Sequence, residues 1–240
     1  MRNSRRPTSK PKADTMKKAS LKDTKPQKPA IALRNELKPR TRNQAEYIRT
    51  VAENSVNIVI GPAGAGKTMI AVGLACQALQ GGYVNEIILS RPIVGCGTGI
   101  AALPGNVNEK IHPYMLPLLD YLDYFLGKDQ ARTLLQSNVI KMIPVELMRG
   151  MSIKDTYLIL DEASNANLSQ LKMTLGRIDI GSKFLLLGDY KQTDIKGCDF
   201  RNLVDKLSNP PIEDVGFVEL THDDIQRKSV VSRIITRLED

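Results

Sequence analysis

The stretch VNIVIGPAGAGKTMIAVGLACQAL, residues 56–79, decides the fold. VNIVI (56–60) is a short run, β-branched apart from Asn57, that stops at Gly61. It reads as a buried strand. Residues 67–79 then read as a helix, with Gly81-Gly82 as a stop signal. Between them GPAGAGKT, Gly61 to Thr68, satisfies G-x-x-x-x-G-K-[ST] in the strand-to-helix context that motif requires. The glycines let backbone N–H groups wrap phosphate oxygens without Cβ obstruction, and the helix N-terminus adds partial positive charge. The segment Gly61, Pro62, Ala63, Gly64, Ala65, Gly66 is therefore expected to form a phosphate nest. Lys67 is placed to reach the β- and γ-phosphates of a nucleotide, and the Thr68 hydroxyl to ligate Mg²⁺.

Further along, EIILS (86–90), VIKMI (139–143), YLILD (157–161), KFLLLGD (183–189) and VGFVEL (215–220) read as more short apolar strands. EKIHPYMLPLLDYLDYFLG (109–127) reads as mostly helical, with Pro113 and Pro117 disturbing its start. LSQLKMTLGRI (168–178) and DIQRKSVVSRIITRLE (224–239) read as amphipathic helices, and the Gly- and Pro-containing residues 92–105 as a loop. Strands alternating with helices predict an α/β fold with a mostly parallel sheet covered on both faces.

A P-loop needs a carboxylate to hold the magnesium, and YLILDE supplies one at a strand's carboxyl end: Asp161 for Mg²⁺, with Glu162 for the attacking water. Two adjacent acids favour hydrolysis over phosphoryl transfer to a second substrate, because hydrolysis needs a base for water. In LLLGDYKQ, Gln192 follows another strand end and could sense the γ-phosphate. In TRNQAEYI (41–48), Gln44 could read the adenine edge through its amide, and Tyr47 could stack.

The order TRNQ, GPAGAGKT, SRPIVG, LPGNVNEKIHPYMLPLLD, PVELMRG, LILDEASN and LGDYKQTDI resembles the PhoH-like proteins, P-loop ATPases of the phosphate-starvation type. The resemblance covers about residues 39–239. It is carried beyond the generic P-loop by Arg91-Pro92, Leu103-Pro104-Gly105 and Met148-Arg149-Gly150. PhoH-like domains resemble the first motor domain of superfamily 1 helicases. The resemblance therefore implies a single RecA-like P-loop NTPase domain, ATP and Mg²⁺ as cofactors, hydrolysis of ATP, and action on RNA or single-stranded DNA. It also implies a homo-oligomer, a hexameric ring in which Arg227 reaches a neighbour's nucleotide. Two departures stand out. CGTGIAA before Leu103 lacks the acidic residue usual there, and Lys228 replaces the usual histidine while Arg227 is retained. With the sequence stopping at Asp240, no appended nuclease domain is expected.

The sequence has 240 residues, 42% hydrophobic, with a net charge of +8. That charge is confined to residues 1–30, where ten Lys and Arg stand against two acids and four prolines, with no Ile, Val, Phe or Tyr. Such a segment buries too little apolar surface to offset the entropy of ordering it. The expected organisation is a disordered basic tail over 1–38 and one P-loop domain over 39–240. The tail can add salt-sensitive attraction to nucleic acid. Three dispersed cysteines (Cys76, Cys96, Cys198) and two histidines make neither a disulfide framework nor a zinc site. No run approaches the roughly 18 apolar residues of a membrane span, and no apolar region follows the basic start as in a secretory signal. The expectation is a cytoplasmic protein without membrane association. Two other classes stay open: a nucleotide-binding adaptor without useful turnover, and a small-molecule kinase. The kinase would want several arginines in a lid, and residues 91–108 hold only Arg91.

Overall fold

The computed structural model describes residues 31–93, 107–189 and 200–225, together with Arg237. The expectations for the tail over 1–30, for most of the 92–105 loop, for Gln192 and for Arg227 fall outside them.

All six expected strands are present: β1 Val56–Ile60, β2 Glu86–Ser90, β3 Ile140–Met142, β4 Thr156–Leu160, β5 Lys183–Gly188 and β6 Val215–Glu219. They form one sheet in the order β3-β2-β4-β5-β1-β6, and every pairing is parallel. Side chains alternate across it with the period of two that a pleated strand imposes. Val59, Ile87, Leu89, Ile159, Leu185 and Leu187 enter one core layer. Ile58, Ile60, Ile88, Leu158, Leu160 and Leu186 enter the other. Both faces are covered, which is why these strands read as continuous apolar runs.

The first layer is capped by α1 Arg42–Glu53, α2 Lys67–Gln80, α3 Val107–Leu126 and α4 Lys128–Gln136, and the second by α5 Leu168–Leu175 and α6 Phe200–Ser208. Thr41 caps α1 by accepting from the Gln44 N–H at 3.1 Å. Asn167 and Gln170 close α5 with a capping box. In α3 the helix runs through Pro113 and Pro117 instead of being disturbed at its start. An interior proline costs about 3 kcal/mol. The fully buried stripe Ile111, Met115, Leu118, Leu122 and Phe125 outweighs it, since each such side chain contributes about 1.5–3 kcal/mol. Gly73 on α2 faces this stripe, where a Cβ would lie 2.7 Å from the Phe125 ring.

Three further differences have physical causes. Residues 31–38, counted with the tail in the sequence reading, pack on the body. Leu37 is buried, Ile31 and Leu33 lie against the first layer, and the Arg34 N–H donates to Phe125 O at 2.7 Å. The apolar residues of this short segment are what separate it from residues 1–30. Helices α4 and α6 were not foreseen; Phe200, Leu203 and Val204, buried at i, i+3 and i+4, were the available signal for α6. Asp224, expected to open the last helix, instead closes a single 3₁₀ turn, His222–Asp224.

Candidate functional site

β1 ends between β5 and β6, so the loop after Ile60 leaves from the middle of three strand ends. The Gly61 N–H donates to Gly188 O at 3.3 Å. A Cβ on Gly61 would lie 2.6 Å from Leu220 O, so only glycine passes there. Gly64 and Gly66 adopt φ of 85° and 97°, the left-handed region that glycine enters freely. Gly66 is the N-cap of α2 and offers no side chain to its first N–H groups, which are left for an anion.

The cavity in front of this helix end has a volume of about 410 Å³. Of the expected nest, Ala63, Gly64, Gly66, Lys67 and Thr68 line it, whereas Gly61, Pro62 and Ala65 do not. Those three act behind it. The Gly61 and Pro62 carbonyls accept from Lys67 Nζ, and the Ala65 carbonyl accepts from Gln44 Nε2 at 3.0 Å. Burial lowers the Lys67 pKa, while the carboxylates of Asp189, Asp161 and Glu162 pull the other way.

Across the cavity stands the end of β4. Ser90 pairs in register with Leu160, so Arg91 and Asp161 are the next positions on neighbouring strands. The Thr68 hydroxyl donates to Asp161 Oδ1 at 2.9 Å. Burial raises the Asp161 carboxyl pKa, opposed by the charge of Arg91, the Thr68 hydrogen bond and Lys67. Glu162 takes a left-handed backbone, φ 51° and ψ 42°, a conformation unusual outside glycine and concentrated at functional turns. Its carboxylate pairs with Arg91 and accepts from Asn165 Nδ2 at 3.1 Å.

The TRNQ segment does something the sequence reading did not foresee. Gln44 lines the cavity but is nearly buried. Its carbonyl accepts from the Arg40 N–H at 2.8 Å, and its amide holds the Ala65 carbonyl. Among the described residues, one N–H and one lone pair remain on that amide. Tyr47 is fully buried, its hydroxyl on the Lys67 carbonyl at 3.3 Å; it is a core residue and does not present a ring for stacking. Thr41 and Asn43 both donate to Asp224. The segment thus fastens α1 to the P-loop on one side and to the turn after β6 on the other.

Thr68 and Asp161 are hard oxygen donors side by side, which suits Mg²⁺, an ion that takes one or two protein oxygens and fills its sphere with phosphate and water. Among the described residues no cluster of three His, Cys, Asp or Glu side chains is placed to hold a metal by itself. Arg91, read from the sequence as a distinguishing residue and as the lone arginine of 91–108, and Asp189, read as the end of a strand, were given no role in the site, yet both line the cavity. Position at a strand's carboxyl end was the available signal for both. Among the described residues no helix is long and apolar enough to cross a membrane.

Comparison with known proteins places this geometry in context. The family model described as PhoH-like protein matches residues 36–239. A PhoH-like protein of Bacillus subtilis is 39% identical over 200 residues, 83% of this chain and 63% of its own length. The chain therefore spans less than two thirds of that relative. The large terminase of a thermophilic bacteriophage superposes with a TM-score of 0.52 at 13% identity, over 84% of this chain and 50% of the terminase. The same terminase in complex with ADP gives 0.50 at 12% identity, over 82% and 50%. Identity this low speaks for the fold alone, and that fold is the P-loop α/β architecture.

Proposed function

The chain belongs to the PhoH-like family, and from that premise we propose that it binds ATP with Mg²⁺ and hydrolyses it to ADP and phosphate. The observation that carries this reading is the Thr68–Asp161 hydrogen bond, which joins the P-loop helix to the end of β4 at one cavity. In this reading Gly64, Gly66 and the first N–H groups of α2 bind the phosphates. Lys67 exchanges the Gly61 and Pro62 carbonyls for the β- and γ-phosphates, a gain because a charged acceptor forms the stronger hydrogen bond. Mg²⁺ between Thr68 and Asp161 would offset charge on the phosphates. Glu162 orients water, and Gln44 braces the loop with a donor and an acceptor left over for the base. The ADP named in the structure of the terminase is consistent with such a ligand.

We further propose that hydrolysis is coupled to RNA or single-stranded DNA. This rests on the family resemblance and on the +8 charge of residues 1–30. Gln192 as γ-phosphate sensor, read from its place after a strand end, and Arg227 as a neighbour's contribution to a ring, tied to the family resemblance, remain proposals. The tail-plus-domain organisation, read from charge and composition, and a cytoplasmic location, read from the dispersed cysteines, are proposals as well. Cys76 is buried, and burial pushes its thiol up to about 12, which disfavours the thiolate.

The test is phosphate release from the full chain with and without single-stranded RNA or DNA. Mg²⁺-dependent release that rises with nucleic acid supports the reading. Nucleotide binding without release would make the chain an adaptor, and phosphate transferred to a small molecule would make it a kinase.

A further inference from the structure

Arg91 follows the last residue of β2 and is fixed from several sides. Its side chain is 17% exposed. One Nη donates to Glu162 Oε1, and Nη1 donates to the Tyr114 carbonyl of α3 at 3.2 Å. Just before it, Ser90 is fully buried, with its hydroxyl 3.5 Å from Met148 Sδ. Arg91 lines the same cavity as Lys67, Asp161 and Glu162. A guanidinium carries five N–H donors in a planar fork, and among the described residues these two bonds leave most of them available. The chain thus brings a positively charged donor array to the part of the cavity where Lys67 and the Thr68–Asp161 pair would set a terminal phosphate.

We propose that Arg91 is a catalytic arginine supplied by the chain itself: it exchanges Glu162 for the γ-phosphate of ATP, and in leaving frees Glu162 to act on water. The proposal rests on the ATP reading above. Its energetics follow from exposure. The Glu162 side chain is 41% exposed, so water reaches the carboxylate and screens its pairing with Arg91. A γ-phosphate carries more charge and offers three oxygens to the fork, so the exchange runs toward phosphate. Asn165 holds the other Glu162 oxygen at 3.1 Å, so the carboxylate stays oriented once Arg91 has left.

In the step that follows, the water oxygen forms a bond to the γ-phosphorus as the bond from that phosphorus to the β–γ bridging oxygen breaks. The electron pair leaves with ADP, a water proton passes to the Glu162 carboxylate, and Arg91 N–H groups donate to the γ-phosphoryl oxygens. An arginine in this role accelerates hydrolysis by about 10³–10⁵-fold.

The experiment compares the full wild-type chain with Arg91→Ala, Arg91→Gln and Arg91→Lys. A fluorescent ADP analogue is titrated with and without aluminium fluoride, which mimics the phosphoryl group in flight, and single-turnover hydrolysis is measured beside it. The wild type is expected to bind ADP more tightly with aluminium fluoride, to the same degree at every protein concentration. Arg91→Ala and Arg91→Gln should bind ADP alone as the wild type does, lose the tightening, and hydrolyse ATP about 10³-fold more slowly. Arg91→Lys, charged but without the fork, should recover only part. The proposal is overturned if variants that still bind ADP keep the tightening or hydrolyse as fast as the wild type. It is overturned equally by a wild type that binds ADP without tightening, or whose tightening fades on dilution. Loss of ADP affinity in both neutral variants makes Arg91 a structural prop and also overturns it. A wild type that binds no ADP sinks the nucleotide reading itself, and this proposal with it.

Discussion

The hydroxyl of Thr68 donates to Asp161 Oδ1 at 2.9 Å across 93 residues of chain. The bond ties the first turn of α2 to the end of β4 and sets the distance between the two oxygens proposed for Mg²⁺. Thr68→Val keeps the shape and removes the oxygen. The Mg²⁺ concentration for half-maximal hydrolysis should rise by about 10–100-fold, and Thr68→Ser should restore it. An unchanged Mg²⁺ requirement in Thr68→Val would place the metal elsewhere.

Lys67→Ala and Glu162→Gln should fail in different ways. Without Lys67 the β- and γ-phosphates lose a charged hydrogen-bond donor, a loss of about 1.5–3 kcal/mol that weakens nucleotide binding roughly ten- to a hundredfold. Glu162→Gln keeps the phosphate and metal groups but loses the carboxylate for water, so ATP should bind normally and turn over about 10²–10⁴-fold more slowly. Equilibrium binding of an ATP analogue beside phosphate release distinguishes them. Full hydrolysis by Glu162→Gln would show that its role is misassigned.

Asp224 gives the fold a pH dependence. Burial pushes its carboxyl upward, but hydrogen bonds from Thr41, Asn43 and Thr221 outweigh that and hold it below its ordinary value. A depressed carboxyl stabilises fully above its unfolded pKa of about 3.9, and the contribution is lost as pH falls through the folded value. Asp224→Asn should lower stability at neutral pH by about 1.5–3 kcal/mol. It should also flatten the acid side of the stability curve measured by urea unfolding between pH 3 and 7. An acid side as steep as in the wild type would assign the pH dependence to other groups.

Deleting residues 1–30 should weaken nucleic-acid binding and flatten its salt dependence, because the ten Lys and Arg there release counterions when they neutralise phosphates. Basal ATP hydrolysis should change little. Binding with the same salt slope after truncation would make the segment only a solubilising appendage.

The strands and the P-loop were legible because their signals are local. A run such as KFLLLG needs no partner to read as buried, and Gly61 to Thr68 carries its own context. Pairing was not legible. Arg91 and Glu162 stand 71 residues apart, and only the adjacency of β2 and β4 brings them together. Tyr47 was misread although its signal was present: Gln44, Tyr47 and Val51 fall on one buried face of α1, a stripe that marks a core before it marks a binding site. The tail boundary falls earlier than the sequence suggests because the apolar residues of 31–38 are few, and the segment is held by elements far along the chain, as the bond from the Arg34 N–H to the Phe125 carbonyl shows.

The position of β1 has a consequence for the chain during synthesis. Its neighbours in the sheet are β5 and β6, the last two of the six described strands to leave the ribosome. Until residue 188 has emerged, the strand beneath the P-loop has neither edge hydrogen-bonded; until residue 219, one edge remains open. An apolar strand with unpaired edges is a template for wrong pairing. The strand on which the candidate site is built thus waits, apolar and unpaired, for partners far along the chain, and the cavity comes into existence only once β5 and β6 have joined it.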